Sequence, residues 1–252
     1  MGTPRLDLKQ EFERNNYIAF LDVLGFSEIV SRDDIKLLET YFTTITTVLN
    51  SVQEFKSKIQ SCLISDSIIL IAPFDQNGFT DILIAVRRIQ RELLWLRIIL
   101  RGAISHGQVY YNSEKNIIVG KGYIRTYNLE KEAVYPRVII DPSIINHFGG
   151  DRFEFLNQIN GGRFVVDNLI YRKPPGTSNI PDDAFFVNYM YNALKYGSDD
   201  ENKISAIYEL IKANLYSEQK HYSKYLWLRN YVVQTVNSLT LNSDWVKKFQ
   251  SL

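Results

Sequence analysis

Short apolar runs of strand length alternate with amphipathic stretches along the first 140 residues. Tyr17–Asp22 (YIAFLD) is such a run; it ends on a carboxylate and is broken by Gly25. From Asp33 to Phe55, apolar residues at Ile35, Leu38, Tyr41, Phe42, Ile45, Leu49 and Val52 recur in steps of three and four, which predicts a helix capped by Asp33 or Asp34. Two β-rich runs, Gln60–Ser65 and Ser67–Ala72, meet at Asp66 and predict a hairpin with a carboxylate at its tip. After a turn at Pro73–Gly78, Ile82, Ala85, Ile89, Leu93 and Leu96 mark one face of a second helix over Thr80–Leu96. Ile98–His106, Gln108–Tyr111 and Asn116–Val119 read as strands, Gly122–Glu132 as a third helix and Arg137–Ile140 as another strand.

Beyond residue 150 the pattern weakens. Gly161–Asp167 reads as one more strand, and the proline-rich Arg172–Asp183 as a linker. Residues 183–252 read as helical, with Ile204, Ile207, Leu210, Ile211 and Leu215 in one stripe and Tyr225–Leu239 in another. Such a stripe needs an apolar partner surface, which the chain's own core can supply. The economical fold is α+β: a ferredoxin-like βαββαβ core with an antiparallel-rich sheet over residues 1–172, and a C-terminal helical extension over 183–252 packed on it.

Composition narrows the class. The chain has 252 residues, 45% hydrophobic and 23% charged, which excludes a disordered or low-complexity protein. A net charge of +1 provides no overall field for nucleic acid or an anionic membrane. The lone cysteine, Cys62, allows neither an internal disulfide nor a cysteine-built zinc cage. Both charge signs precede the first apolar run and no run approaches membrane-spanning length, so a cytoplasmic location is expected.

Asp22 and Asp66 carry the candidate chemistry. In a βαββαβ layer the first strand lies beside the third, so the end of the first strand reaches the hairpin that carries Asp66. Two neighbouring carboxylates repel unless a cation lies between them, and oxygen-only ligands suit Mg²⁺ or Mn²⁺. The segment Val23–Leu24–Gly25–Phe26 can wrap a triphosphate with its backbone N–H groups. Each aspartate also has an ordinary reading, as a strand end or a turn residue.

Four segments resemble class III nucleotidyl cyclases in the same order: FLDVLGFSEIV (Phe20–Val30), SCLISDSIIL (Ser61–Leu70), LRGAISHGQVY (Leu100–Tyr110) and GKGYIRTYNLEKEAVYPRVIID (Gly120–Asp141). Within that class the RGAIS and LEKEAVYPR stretches look most like bacterial pyrimidine cyclases of the Pycsar antiphage defence system. The resemblance implies two divalent ions, Mg²⁺ or Mn²⁺, held by Asp22, Asp66 and the Val23 carbonyl, with the triphosphate on Val23, Gly25 and Phe26. It also implies that UTP, or alternatively CTP, becomes the 3′,5′-cyclic monophosphate and pyrophosphate, and that the product activates a separate effector.

The resemblance is imperfect at two places. Purine cyclases read the base partly from the residue four before the hairpin aspartate, a Lys or a Glu; here it is Cys62, which suits a different base or simply a buried small residue. The family's helix carries Asn and Arg four apart, and with Leu129–Glu130 aligned to the family's equivalent pair those positions hold Ile124 and Asn128 here. Arg125 or Arg101 is then the candidate for the charge that stabilises the transferring phosphoryl group; Arg137 is also available, although after Pro136 at a strand start it reads equally as a solvated edge residue. Because family sites form between two domains, a homodimer with composite sites is implied. Two further readings are a catalytically inactive, nucleotide-binding cyclase-like regulatory module, and a purine cyclase with unusual base contacts. His106 reads as a turn or dimer hydrogen-bonder, and His147 and His221 have no partners at metal-ligand spacing.

Overall fold

The computed structural model of the chain describes residues 14–52, 57–115, 117–161, 167–171, 184–198, 200–237, 239 and 243–252. Strand β1 (Asn15–Val23) is followed by a short helix α1 (Phe26–Ser31) and a long one, α2 (Ile35–Val52). The hairpin β2 (Gln60–Ile64) and β3 (Ser67–Pro73) leads through α3 (Gln76–Trp95) to β4 (Leu100–Gln108). These strands form an antiparallel layer in the order β2-β3-β1-β4, the ferredoxin-like arrangement. A small hairpin, β5 (Tyr110–Asn112) and β6 (Ile117–Val119), and helix α4 (Lys121–Glu130) precede β7 (Val138–Ile140), which joins the edge of β4 in parallel.

Alternation along β1 assigns its two faces. Tyr17, Ala19, Leu21 and Val23 pack in one core with Tyr41, Ile45, Val48 and Val52 of α2 and Ile82, Val86 and Ile89 of α3. Ile18 and Phe20 point the other way, into a smaller cluster with Ile69, Ile71 and Val109 that α4 covers through Tyr123 and Tyr127. Helix α4 lies directly on the sheet because Gly107 and Gly122 meet there. A Cβ on Gly122 would come within 2.7 Å of Ile18 Cδ1 and 2.8 Å of the Gly107 carbonyl carbon. The buried hydroxyls of Ser105 and Thr126, 2.6 Å apart, tie helix and strand together beside this contact.

Several boundaries differ from the sequence reading. The helix expected from Asp33 begins at Ile35, with the Asp34 carboxylate accepting the Leu37 N–H at 3.0 Å, while Asp33 sits in a left-handed turn. The six residues of α1 are too few to show a period. Helix α3 starts at Gln76 rather than Thr80, because Asp75 caps it by accepting the Gly78 N–H at 2.7 Å. Helix α4 stops at Glu130, not Glu132. A 3-10 helix (Pro142–Phe148) and α5 (Arg152–Asn160) were not anticipated. Most of the strand expected at 161–167 and the whole of the linker expected at 172–183 lie at residues 162–166 and 172–183, outside the described residues.

The C-terminal region is not helical from its start. Residues 185–187 run beside β7, with the Val187 N–H donating to Val138 O and the Ile140 N–H to Phe185 O. Helices α6 (Met190–Gly197), α7 (Glu201–Asn214), α8 (Gln219–Val236) and α9 (Ser243–Gln250) then follow. They share a core with Leu94 of α3, Ala103 of β4 and Ile139 of β7. Its centre is Tyr231, whose hydroxyl donates to Asn188 Oδ1 at 2.6 Å and accepts the N–H groups of Tyr189 and Met190 at 3.2 Å. Arg137, expected at a solvated edge, is buried here among the rings of Tyr135, Phe186 and Trp227. Among the described residues no helix is long and apolar enough to cross a membrane.

Candidate active site

The register of β1 against β3 pairs Asp22 with Ser67, and the Val23 N–H donates to the Asp66 carbonyl at 3.2 Å. The hairpin turn that holds Asp66 places Ser65 at φ 56°, a left-handed conformation that costs a non-glycine residue about 1–2 kcal/mol. The two aspartates therefore meet where the end of β1 reaches the β2–β3 turn. Burial pushes the Asp22 carboxyl above its ordinary pKa, and the charge of Asp66 adds to this against the pull of Arg101.

Arg101 faces Asp22 across the β1–β4 pair. Its Nε lies 3.5 Å from Asp22 Oδ2 and 2.5 Å from Glu130 Oε1. The Glu130 side chain, only 5% exposed, is itself held above its ordinary pKa by burial and by the charge of Asp22. A single guanidinium thus serves two carboxylates. Tyr41 of α2 adds a buried hydroxyl with no hydrogen-bond partner among the described residues. Its pKa is raised, first by burial and then by the charges of Asp66 and Asp22, so it lies near both.

Beside the aspartates the chain turns sharply at Gly25, which opens α1 with φ 78°. Nothing lies within 4 Å of where a Cβ would stand, so the backbone angle alone calls for glycine. The Leu24 N–H is anchored to Ile99 O at 2.9 Å, the Gly25 carbonyl accepts the N–H groups of Glu28 and Ile29, and Phe26 is buried. The donor set fits a hard, oxygen-preferring divalent ion: two carboxylates, one already destabilised as an anion by the other, with the remaining positions left to water and substrate oxygens. Among the described residues no group of three or more His, Cys, Asp or Glu forms a protein-only metal cage.

The other candidates lie apart from this pair within the one chain. Arg125 forms a two-point ion pair with Asp141, Nε to Oδ2 at 2.5 Å and Nη2 to Oδ1 at 3.0 Å, and also donates to Ser143 Oγ. Burial pushes the Asp141 carboxyl up, but hydrogen bonds from Ser143 and Arg125 outweigh it and hold the pKa below the ordinary value. Asn128 is exposed on the outer face of α4, next to Ile124, which is 56% exposed. Cys62 is half-buried opposite Ile69, beside Tyr111 and Tyr123 on the face that α4 covers.

His147, read as isolated, meets His106 in space: their Nε2 atoms are 3.2 Å apart, and His106 Nε2 is 3.0 Å from Ser143 Oγ. This cluster lies at the other end of β4 from Arg101. Sequence reasoning passed over Glu130 and Tyr41. The first served only as an alignment landmark, and the second was counted as one more apolar residue in the α2 stripe.

No family model and no curated protein matches the chain. Solved structures similar to it include the guanylyl cyclase Cya2, at 18% identity and TM-score 0.44, covering 69% of this chain and 91% of that one. The adenylyl cyclase CyaB from P. aeruginosa gives 14% and 0.42 over 69% of this chain and 92% of that one. The guanylate cyclase domain of RhGC from Catenaria anguillulae, in complex with GTP, gives 11% and 0.42 over 69% and 93% respectively.

Proposed function

We propose that the chain is a nucleotidyl cyclase that converts a pyrimidine nucleoside triphosphate, UTP in preference to CTP, into its 3′,5′-cyclic monophosphate and pyrophosphate. The observation that carries the reading is the meeting of Asp22 and Asp66 beside the Gly25 turn. Asp22, Asp66 and the Val23 carbonyl would hold two divalent ions, Mg²⁺ or Mn²⁺. Such ions, when bound, supply the charge that favours loss of the 3′-hydroxyl proton and that offsets the triphosphate.

The chain's own residues position the reactants. The turn receives the triphosphate at Gly25 and Phe26, because the N–H groups of Val23 and Leu24 are already held by the carbonyls of Asp66 and Ile99, and the α-phosphorus comes near O3′. The O3′–phosphorus bond forms as the bond to the β-phosphate bridging oxygen breaks, so pyrophosphate leaves and the 3′-hydroxyl proton passes to solvent. Arg101 steadies Asp22 from the neighbouring strand. Positive charge at the transferring group comes from α4 of a second copy, whose exposed face carries Ile124, Arg125 and Asn128, so the working form is a homodimer. Cys62 leaves the base pocket without the charged contact of a purine reader, and the preference for UTP follows the motif resemblance. In a defence setting the product would act on a separate effector.

The test is incubation of purified protein with ATP, GTP, CTP and UTP separately in Mn²⁺, with products resolved by chromatography and mass. One cyclic pyrimidine nucleotide is expected, and Asp22→Ala or Asp66→Ala should each abolish it with the fold retained. A cyclic purine product would refute the base assignment. The pairing of Arg125 with Asp141 favours the second reading, an inactive nucleotide-binding module, which predicts nucleotide binding without pyrophosphate release.

A further inference from the structure

The C-terminal helices reach the nucleotide end of the site. A cavity of about 480 Å³ lies between the β1–α1 turn, the α3–β4 connection and helices α7 and α8; its lining includes Leu24, Gly25, Arg97, His221, Lys224 and Tyr225. Leu24, two residues beyond Asp22, packs into the C-terminal core rather than into the core between the sheet and α2. Lys224 is half-buried on α8 and makes no salt bridge among the described residues.

Arg97 supplies a second cation on this wall. It follows the C-cap of α3 with φ 62°, the position where glycine folds most readily. An arginine there carries backbone strain that glycine would not. Glu28, on the same wall, lies 3.9 Å from Arg32. Glu209 of α7 lines the same cavity, so with Glu28 matched by Arg32 the wall sets two cations, Lys224 and Arg97, against one further carboxylate beside the Gly25 turn.

We propose that Lys224, assisted by Arg97, binds the terminal phosphates of the nucleotide, so that the C-terminal helices complete the site within the same chain. An ammonium on a flexible stem suits a phosphate group as a point charge, and removing a charged hydrogen bond of this kind costs about 1.5–3 kcal/mol, or roughly 10- to 150-fold in affinity. The inference rests on the cyclase reading for the identity of the nucleotide, but not for the anion chemistry of the cavity.

The test uses the full chain with Lys224→Ala, Lys224→Arg and Arg97→Gly. Calorimetry with inorganic tripolyphosphate in Mg²⁺ buffer reports the anion site, and steady-state kinetics with the preferred nucleotide report KM and kcat. Lys224→Ala should weaken tripolyphosphate binding and raise KM by about 10-fold or more, with an unchanged melting temperature. Lys224→Arg should restore most of the loss, and Arg97→Gly should weaken binding while raising the melting temperature. Tripolyphosphate affinity unchanged in Lys224→Ala, or no binding by the wild type, overturns the inference. Turnover with an unchanged KM in Lys224→Ala overturns it while leaving the cyclase reading intact. Tripolyphosphate binding that depends on Lys224 in a chain that cyclises no nucleotide upholds the anion site and refutes the cyclase reading.

Discussion

Asp22 is held as an anion against the preference of its surroundings, so replacing it by its neutral isostere should stabilise the fold. Its side chain is 25% exposed and its pKa is raised by burial and by Asp66. Arg101 opposes this, but its closer partner is Glu130, 2.5 Å away against 3.5 Å for Asp22. In Asp22→Asn the ion pair with Glu130 survives and the amide oxygen can still accept from Arg101, so little attraction is lost. Relief of buried charge and of repulsion should then yield about 1 kcal/mol, within the 0.5–2 kcal/mol common for relaxing a functional site. For a chain of this length that corresponds to about 2–4 °C in Tm. Because the folded pKa is raised, the wild type binds more protons folded than unfolded between the ordinary value of 3.8 and the raised one. The stability associated with Asp22 is thus fully present below pH 3.8 and is lost as pH rises through the folded pKa. Thermal melts in EDTA should show the Asn variant ahead at pH 7.5, with the gap closing toward pH 3.8. Mn²⁺ should close it from the other side by stabilising only the wild type. A variant that melts lower than the wild type at pH 7.5 would show that Arg101 outweighs burial and refute the reasoning.

Other perturbations read different parts of the structure. Gly122→Ala drives a methyl to within 2.7 Å of Ile18 Cδ1 and 2.8 Å of the Gly107 backbone, and should cost about 1–3 kcal/mol in urea unfolding by lifting α4 from the sheet. Tyr231→Phe leaves the N–H groups of Tyr189 and Met190 without their acceptor in a buried core, with an expected loss of about 1–3 kcal/mol by the same measurement. Asp141, whose pKa is held below 3.8, should contribute stability above that pH that is lost as pH falls through the folded value. The acid limb of the unfolding curve of Asp141→Asn should accordingly be shallower than that of the wild type.

The sheet order and the approach of Asp22 to Asp66 were legible because both follow from local patterns. The strand-length runs, the carboxylate in a two-residue hairpin turn and the glycine after β1 leave few ways to pair the strands. What escaped the reading depends on contacts between distant segments. The run AFFVNYM at 184–190 has the apolar content of a buried helix, yet its first half takes its hydrogen-bond partners from β7 and from residues 169–171. Arg137 follows a proline at a strand start and looked like an edge residue, but the aromatic rings that enclose it come largely from residues 186 and 227. Helical period told which face of α8 would be buried without telling that Lys224 would meet the β1–α1 turn. The meeting of His106 with His147 escaped for a similar reason, since an unanticipated 3-10 helix delivers His147.

The balance of charge in a single copy of the core disfavours a triphosphate at this turn. Asp22, Asp66 and Glu130 crowd around one guanidinium, and the raised pKa values of Asp22 and Glu130 show that Arg101 does not fully compensate them. A triphosphate adds several more negative charges to the same corner. Arg125 of the same chain is paired with Asp141 and would have to exchange that partner for phosphate to serve the site of a second copy. On the proposed reading, nucleotide binding at this turn would draw its positive charge from outside the sheet: from divalent ions between the aspartates, from α4 of a second copy, and from Lys224 and Arg97 on the cavity wall. These sources respond differently to perturbation. Chelation removes the first, dilution below the dimer dissociation constant the second, and substitution at Lys224 the third. A chain that keeps its tripolyphosphate affinity on dilution but loses it on Lys224→Ala would have its anion site built in cis, with the second copy needed only for the chemistry.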